Sequence, residues 1–84
     1  MKPDIELIRA ILATLNRVGA PGLTDEALST AAELELGGRL LTREQYRDGF
    51  DYAKSKGWLN TRRDGFERDI AWITEAGKTT FAGM

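Results

Sequence analysis

The chain has 84 residues, no cysteine, no histidine, and a net charge of -1 from 12 basic and 13 acidic residues. It therefore lacks disulfides, zinc sites of Cys or His ligands, and the Cys/His pairs that many hydrolases use. At this length we expect one small domain covering residues 1–84. A chain so close to neutrality has no overall field that would draw it to nucleic acid or to an anionic membrane.

The charge is distributed unevenly along the chain. Residues 1–37 contain three basic and six acidic side chains, whereas residues 38–84 contain nine and seven. Any basic surface is therefore expected in the C-terminal half. There is no apolar run of roughly 18 residues, the length of a membrane span, and charges interrupt the N-terminal segment where a signal peptide would be apolar. We expect a cytoplasmic protein that binds no metal and no cofactor.

The first predicted helix runs from about Asp4 to Val18, with Pro3 near its start. Its apolar residues recur at helical spacing and predict one wide buried stripe. Leu7 lies at the edge of this stripe, where it could belong to the peripheral core or to a dimer contact. The stripe itself contains Ile5, Ile8, Ile11, Leu12, Leu15 and Val18.

A second helix is predicted from its cap, Thr24, to about Leu36, after a short extended piece at Leu23. Acidic residues in its first turn suit the helix dipole. Its predicted buried face is small and consists of Leu28, Ala31 and Ala32.

The third helix has the clearest end signals. Thr42 and Gln45 form a T-x-x-Q capping box, which fixes the start near residue 42. Gly57 is predicted to end the helix in the left-handed conformation. The predicted core face contains Tyr46, Gly49, Phe50 and Ala53.

Two short strand-like runs, 58–63 and 66–73, flank Asp64-Gly65. Asp-Gly is typical of a two-residue type I′ hairpin turn, because that turn needs positive φ at both central positions. This turn would place Arg63 opposite Phe66 and Leu59 opposite Ile70. The pattern leaves open which face of the hairpin is buried, although its tryptophans, Trp58 and Trp72, are expected in the core.

Thr74 is predicted to cap a last helix that ends near Ala82. Within it, Gly77-Lys78-Thr79 looks like the end of a phosphate-binding loop, but Trp72 occupies the position where that motif requires glycine. We therefore expect no nucleotide site. Nothing suggests the desolvation that tunes catalytic carboxylates either, so we expect a non-enzymatic protein whose acidic residues Glu44, Asp48, Asp51 and Asp64 are solvated.

The order of these elements resembles the winged helix-turn-helix superfamily over nearly the whole chain. The more specific likeness lies in SKGWLN, which leads from the third helix into the hairpin, and in AWITEAGKTTF, which follows it. The resemblance implies a small α+β fold, namely a three-helix bundle with a C-terminal two-stranded hairpin, the "wing", and a short final helix. It also implies a DNA-binding regulator, with the third helix in the major groove and the wing on the phosphate backbone. The residues that would contact nucleic acid are Arg39, Arg43, Arg47, Lys54, Arg62, Arg63 and Arg68.

The charges of the third helix depart from the usual DNA-binding pattern. At 100° per residue, Arg43, Arg47 and Lys54 form a basic flank, whereas the face most opposed to the core contains Glu44, Asp48, Asp51 and Ser55. That outermost face would be repelled by phosphate. The alternative is a winged-helix module that binds protein and no nucleic acid. A homodimer, if one forms, is expected to use Leu7 and Phe81 on the first and last helices.

Overall fold

The computed structural model describes residues 3–84, which form a small α+β fold of four helices and a three-stranded antiparallel sheet. Residues 1 and 2 of the expected domain lie outside this described part. In chain order the elements are α1 (Ile5–Val18), β1 (Leu23–Thr24), α2 (Asp25–Glu35), α3 (Arg43–Ser55), β2 (Leu59–Arg63), β3 (Asp69–Ile73) and α4 (Glu75–Ala82).

The helices begin where the sequence predicts. The side chains of Thr24, Thr42 and Thr74 each accept a hydrogen bond from the backbone N–H three residues later, and Asp4 does the same before α1. At the start of α3 the Gln45 side chain also accepts from the Thr42 N–H, which completes the capping box. These starts depend on contacts between residues three positions apart, so a local pattern is sufficient to predict them.

Helix α1 lies at the centre of the core, but its buried face is rotated from the predicted one. Ile5 and Val18 are exposed, whereas Leu7 is fully buried. Leu7 packs against α3 at Gly49, where an added Cβ would lie 2.7 Å from the Leu7 Cδ2 atom. Of the two alternatives for Leu7, the core is therefore confirmed, although Leu7 is fully buried rather than peripheral, and the dimer contact is wrong because Leu7 has no exposed surface. The fully buried side chains that share the core with it include Ile8, Ile11, Leu12, Leu15 and Leu28.

The predicted face of α3 is confirmed, because Tyr46, Gly49, Phe50 and Ala53 are all buried. On α2, Leu28 and Ala32 are buried and Ala31 is half-buried.

The sheet has the order β1-β3-β2, and the predicted hairpin register is wrong. Leu59 pairs with Ile73, three residues away from the predicted partner Ile70. Because side chains alternate between the two faces, a shift by an odd number of residues changes which side chains share a face. Leu59, Ala71 and Ile73 consequently form the buried face of the hairpin. Trp58 and Trp72 are both half-buried, and Trp58 packs against the core.

The register shifts because the hairpin ends in a five-residue loop, 64–68, in place of the two-residue turn. The Asp64 backbone N–H donates to the Arg68 carbonyl at 2.8 Å, and the Asp64 side chain accepts from the N–H groups of Phe66 and Arg68. Glu67 completes the loop with a φ of 61°, in the left-handed region. Phe66 thereby lies at the tip of the loop, where the predicted register had placed it in a strand opposite Arg63.

The junction between α3 and α4 contains two glycines with different roles. Gly57 ends α3 with a φ of 76°, as predicted, and its carbonyl accepts from the Thr74 hydroxyl at 2.5 Å. Gly77 lies in α4 against the backbone of Trp58, where an added Cβ would overlap the carbonyl oxygen. The glycine of the Gly77-Lys78-Thr79 sequence is thus a packing residue. None of the helices in residues 3–84 has the length and apolar character needed to cross a membrane.

Candidate nucleic-acid interface

The basic flank of α3 borders a cleft between α2 and α3. Arg43 and Arg47 are one turn apart and line this cleft, and Lys54 lies two turns beyond Arg47 on the same flank. The opposite wall comes from α2 and is acidic, with Asp25, Glu26 and Glu33. Cations of α3 therefore face carboxylates of α2 across the cleft.

Arg47 is held tightly in this position. It donates to the Asp25 carboxylate at 2.5 Å, its second contact is Asp51 at 3.8 Å, and its guanidinium carbon lies 5.2 Å from the centre of the Phe50 ring. The hydrogen bond to Asp25 raises the pKa of Arg47. Burial, and then the charge of Asp25, raise the pKa of the neighbouring Tyr46 hydroxyl well above its ordinary range, so that hydroxyl stays neutral.

Two of the three hairpin arginines are paired with carboxylates of the hairpin itself. Arg63 lies 3.7 Å from Asp69, and Arg68 lies 3.0 Å from Asp64. The N–H of Arg68, the N–H of Phe66 and the Arg68 side chain hold the pKa of Asp64 below its ordinary value, although its partial burial opposes them. Asp64 therefore remains ionised and keeps the loop closed at neutral pH.

Arg39 lies apart from the other predicted contact residues. It pairs with Asp4 at 2.6 Å and with Glu6 at 3.7 Å, at the start of α1. Asp4 in turn borders a groove along α3 that contains Asp48 and Asp51. The Arg39 hydrogen bond, with that of the Leu7 N–H, lowers the pKa of Asp4.

The seven predicted contact residues therefore do not form one continuous basic patch. Among the residues that the structure describes, Arg43, Lys54 and Arg62 have no carboxylate oxygen within 4.0 Å. The other four, Arg39, Arg47, Arg63 and Arg68, are all in ion pairs.

Asp25 lies between basic side chains of α3 and basic side chains of the hairpin. It bonds to Arg47 of α3, and it shares a second cleft with Arg68 and Asp69 of the hairpin. The basic flank of α3 and the loop end of the hairpin therefore both lie near the N-terminus of α2. Asp25 could be assigned from sequence only as a favourable first-turn charge, because its partner Arg47 is 22 residues away.

The acidic face of α3 adjoins the basic flank at Asp51, which contacts Arg47, and continues around the helix to Asp48. Asp48 and Asp51 line a groove with Asp4, and Tyr52 contributes the aromatic part of its wall. Within residues 3–84, no group of three or more acidic side chains is arranged to hold a metal ion.

Comparison with known proteins does not assign the chain to a family. No protein-family model matches it, and no curated protein has a similar sequence.

Proposed function

We propose that this chain is a winged-helix domain that binds duplex DNA, with the basic flank of α3 toward the major groove and the β2–β3 hairpin as the wing. The order helix, short strand, helix, helix, hairpin, helix supports the winged-helix arrangement. In that arrangement α3 and the wing contact the same duplex.

The observation that carries this proposal is the meeting of the two sets of cations at the N-terminus of α2. Arg47 bonds to Asp25, and Arg68 lines a cleft with the same residue, although the two arginines belong to different elements. A duplex lying across this junction would contact both α3 and the hairpin. Arg43, Lys54 and Arg62 are available to phosphate without breaking any ion pair among the described residues.

The ion pairs limit how strong this binding can be. The pairs of Arg63 and Arg68 are exposed, and such pairs contribute about 0–1 kcal/mol, so phosphate can displace their carboxylates at modest cost. The Arg47–Asp25 pair is partly buried and costs more to break. With the three unpaired cations alone, the slope of log affinity against log salt would be about -3, and with Arg47, Arg63 and Arg68 released it would be about -5. We therefore expect the affinity for non-specific duplex to fall steeply with salt, with a slope between these two values.

The test is a titration of labelled random-sequence duplex at two salt concentrations. Replacing Arg62 and Arg63 together by Ala should reduce the magnitude of the slope by about 1 to 2, because these side chains would contact phosphate. The matched control replaces Arg9 and Arg17 of α1, which removes the same charge elsewhere on the surface. Equal losses in both double variants would show that net charge alone is responsible and would contradict a defined interface.

A second candidate function, binding of a protein partner, is favoured by the carboxylates on the outermost face of α3. Asp48 and Asp51 lie on the side of α3 opposite its buried residues, and if this side faced the major groove, phosphate would repel them. This function predicts no duplex binding by the parent at about 0.1 M salt, where a chain of this charge is steered weakly. Asp48→Lys or Asp51→Lys should then abolish capture of the partner, whereas Asp69→Lys on the hairpin should not.

A further inference from the structure

The loop at the end of the β2–β3 hairpin is closed by one carboxylate. Asp64 accepts from the Phe66 N–H at 2.8 Å and the Arg68 N–H at 2.9 Å, and it pairs with the Arg68 guanidinium. Its backbone also bonds to Arg68 and Glu67. A loop with this many internal hydrogen bonds presents its tip in one conformation.

The residue at this tip is a phenylalanine that is 81% exposed. The guanidinium carbon of Arg68 lies 5.4 Å from the centre of the ring, so cation–π contact occupies part of its surface and leaves the rest in solvent. Glu67, the next residue, has a φ of 61°, which residues other than Gly, Asn and Asp seldom adopt. An ordered loop with an unusual backbone therefore holds a large apolar ring in water.

We propose that Phe66 inserts between neighbouring base pairs of duplex DNA from the minor groove and partly unstacks them. The proposal rests on the DNA-binding function above and extends it to one residue. Apolar side chains inserted in this way are a recurrent means of kinking DNA. Arg62 and Arg63 on the adjoining strand would contact the phosphates on either side of the inserted ring.

The cost of desolvating the charged groups beside the ring favours DNA over an apolar pocket on a protein, although exposed Glu67 next to the ring adds one carboxylate that phosphate repels. Burying Phe66 in such a pocket would also desolvate Arg68 and Asp64 beside it, which is costly for charged groups. Insertion into a duplex leaves these groups at the wet, anionic edge of the groove. A flat aromatic ring also stacks on a base of any sequence.

The experiment compares a fully paired duplex with the same duplex carrying one T·T mismatch, because unstacking costs least at a mismatch. The parent should bind the mismatched duplex about tenfold more tightly, because less base stacking is lost at the mismatch while the stacking of the ring itself is the same in both duplexes. Phe66→Ala should abolish this preference and keep the salt slope, since no charge is removed. Phe66→Tyr should retain the preference.

The matched control is Leu40→Ala, which truncates an apolar side chain that is 84% exposed in the α2–α3 connection. It should leave the mismatch preference intact. A 2-aminopurine placed beside the mismatch should brighten on addition of the parent or of Leu40→Ala, and not with Phe66→Ala.

The outcomes separate the two proposals. If the parent binds duplex with a salt slope of about -3 to -5 but Phe66→Ala keeps the same mismatch preference, the insertion of Phe66 is refuted and DNA binding stands. If the parent binds neither duplex even at low salt, DNA binding fails and the insertion fails with it. Loss of the preference in both Phe66→Ala and Leu40→Ala would also refute a specific role for the tip.

Discussion

Replacing Gly77 by alanine should destabilise the protein strongly, although alanine is the better helix former. Gly77 lies in α4, so the change gains about 1 kcal/mol of helix propensity. Against this gain, the new Cβ would overlap the carbonyl oxygen of Trp58 and would lie 2.8 Å from the Ile73 Cγ1 atom. Overpacking of this kind costs about 1–3 kcal/mol and sometimes more.

The overlapped carbonyl also accepts the Thr74 N–H at 3.1 Å at the start of α4. Moving it would weaken a hydrogen bond that contributes about 1 kcal/mol. The net expectation is a loss of about 2 kcal/mol, which lowers the melting temperature of a domain of this size by about 8–16 °C. Thermal unfolding followed by far-UV circular dichroism would measure it.

The matched control is Gly83→Ala, beyond the end of the same helix. Gly83 has a φ of -87°, and an added Cβ would come no closer than 3.6 Å to its neighbours, so alanine should be nearly neutral there. Equal melting temperatures for the Gly77 and Gly83 variants would refute the packing of α4 on the backbone of Trp58.

Three further predictions concern stability. Gly57→Ala should lower the free energy of unfolding by about 1 kcal/mol. The loss comes from the left-handed backbone alone, because an added Cβ meets no atom within 4 Å. Urea unfolding of this variant beside Gly83→Ala would measure the loss. Leu7→Ala should lower the free energy of unfolding by about 2–5 kcal/mol and leave the sedimentation coefficient unchanged. A variant that keeps the stability of the parent but dissociates from a dimer would contradict the burial of Leu7. Asp4 has a folded pKa below its unfolded value because Arg39 and the Leu7 N–H bond to it, so its contribution is present above the unfolded pKa and disappears as pH falls through the folded pKa. Asp4→Asn keeps the helix cap, and its small deficit in urea midpoint, seen at neutral pH, should shrink as the pH falls through the lowered folded pKa of Asp4 and vanish below it; a deficit that persists in acid would exclude the ion pair as its cause.

The sequence alone determined the helices and their ends, because these depend on neighbours within one turn. Thr42 and Gln45 are three residues apart, and a left-handed Gly57 needs no distant partner. The buried face of α3 could also be predicted from the sequence, because the spacing of apolar residues along a helix is a local property.

The hairpin register required the tertiary structure. Asp64-Gly65 is compatible with a two-residue turn, but the same aspartate also closes the five-residue loop that is observed. Local chemistry leaves both turns possible, and each buries a different face of the hairpin. The observed register is the one that pairs β1 with β3 and buries Leu59, Ala71 and Ile73 in the core with α1.

The pairing of the charges at the candidate interface also required the tertiary structure. The sequence supplied seven basic residues in the expected elements, but it could not show which carboxylates would lie beside them. Arg39 is 35 residues from Asp4, and Arg47 is 22 residues from Asp25. Ion pairs at such separations depend on how the helices pack, because electrostatic contact requires proximity in space. Such pairs produce no regular spacing in the sequence from which they could be predicted.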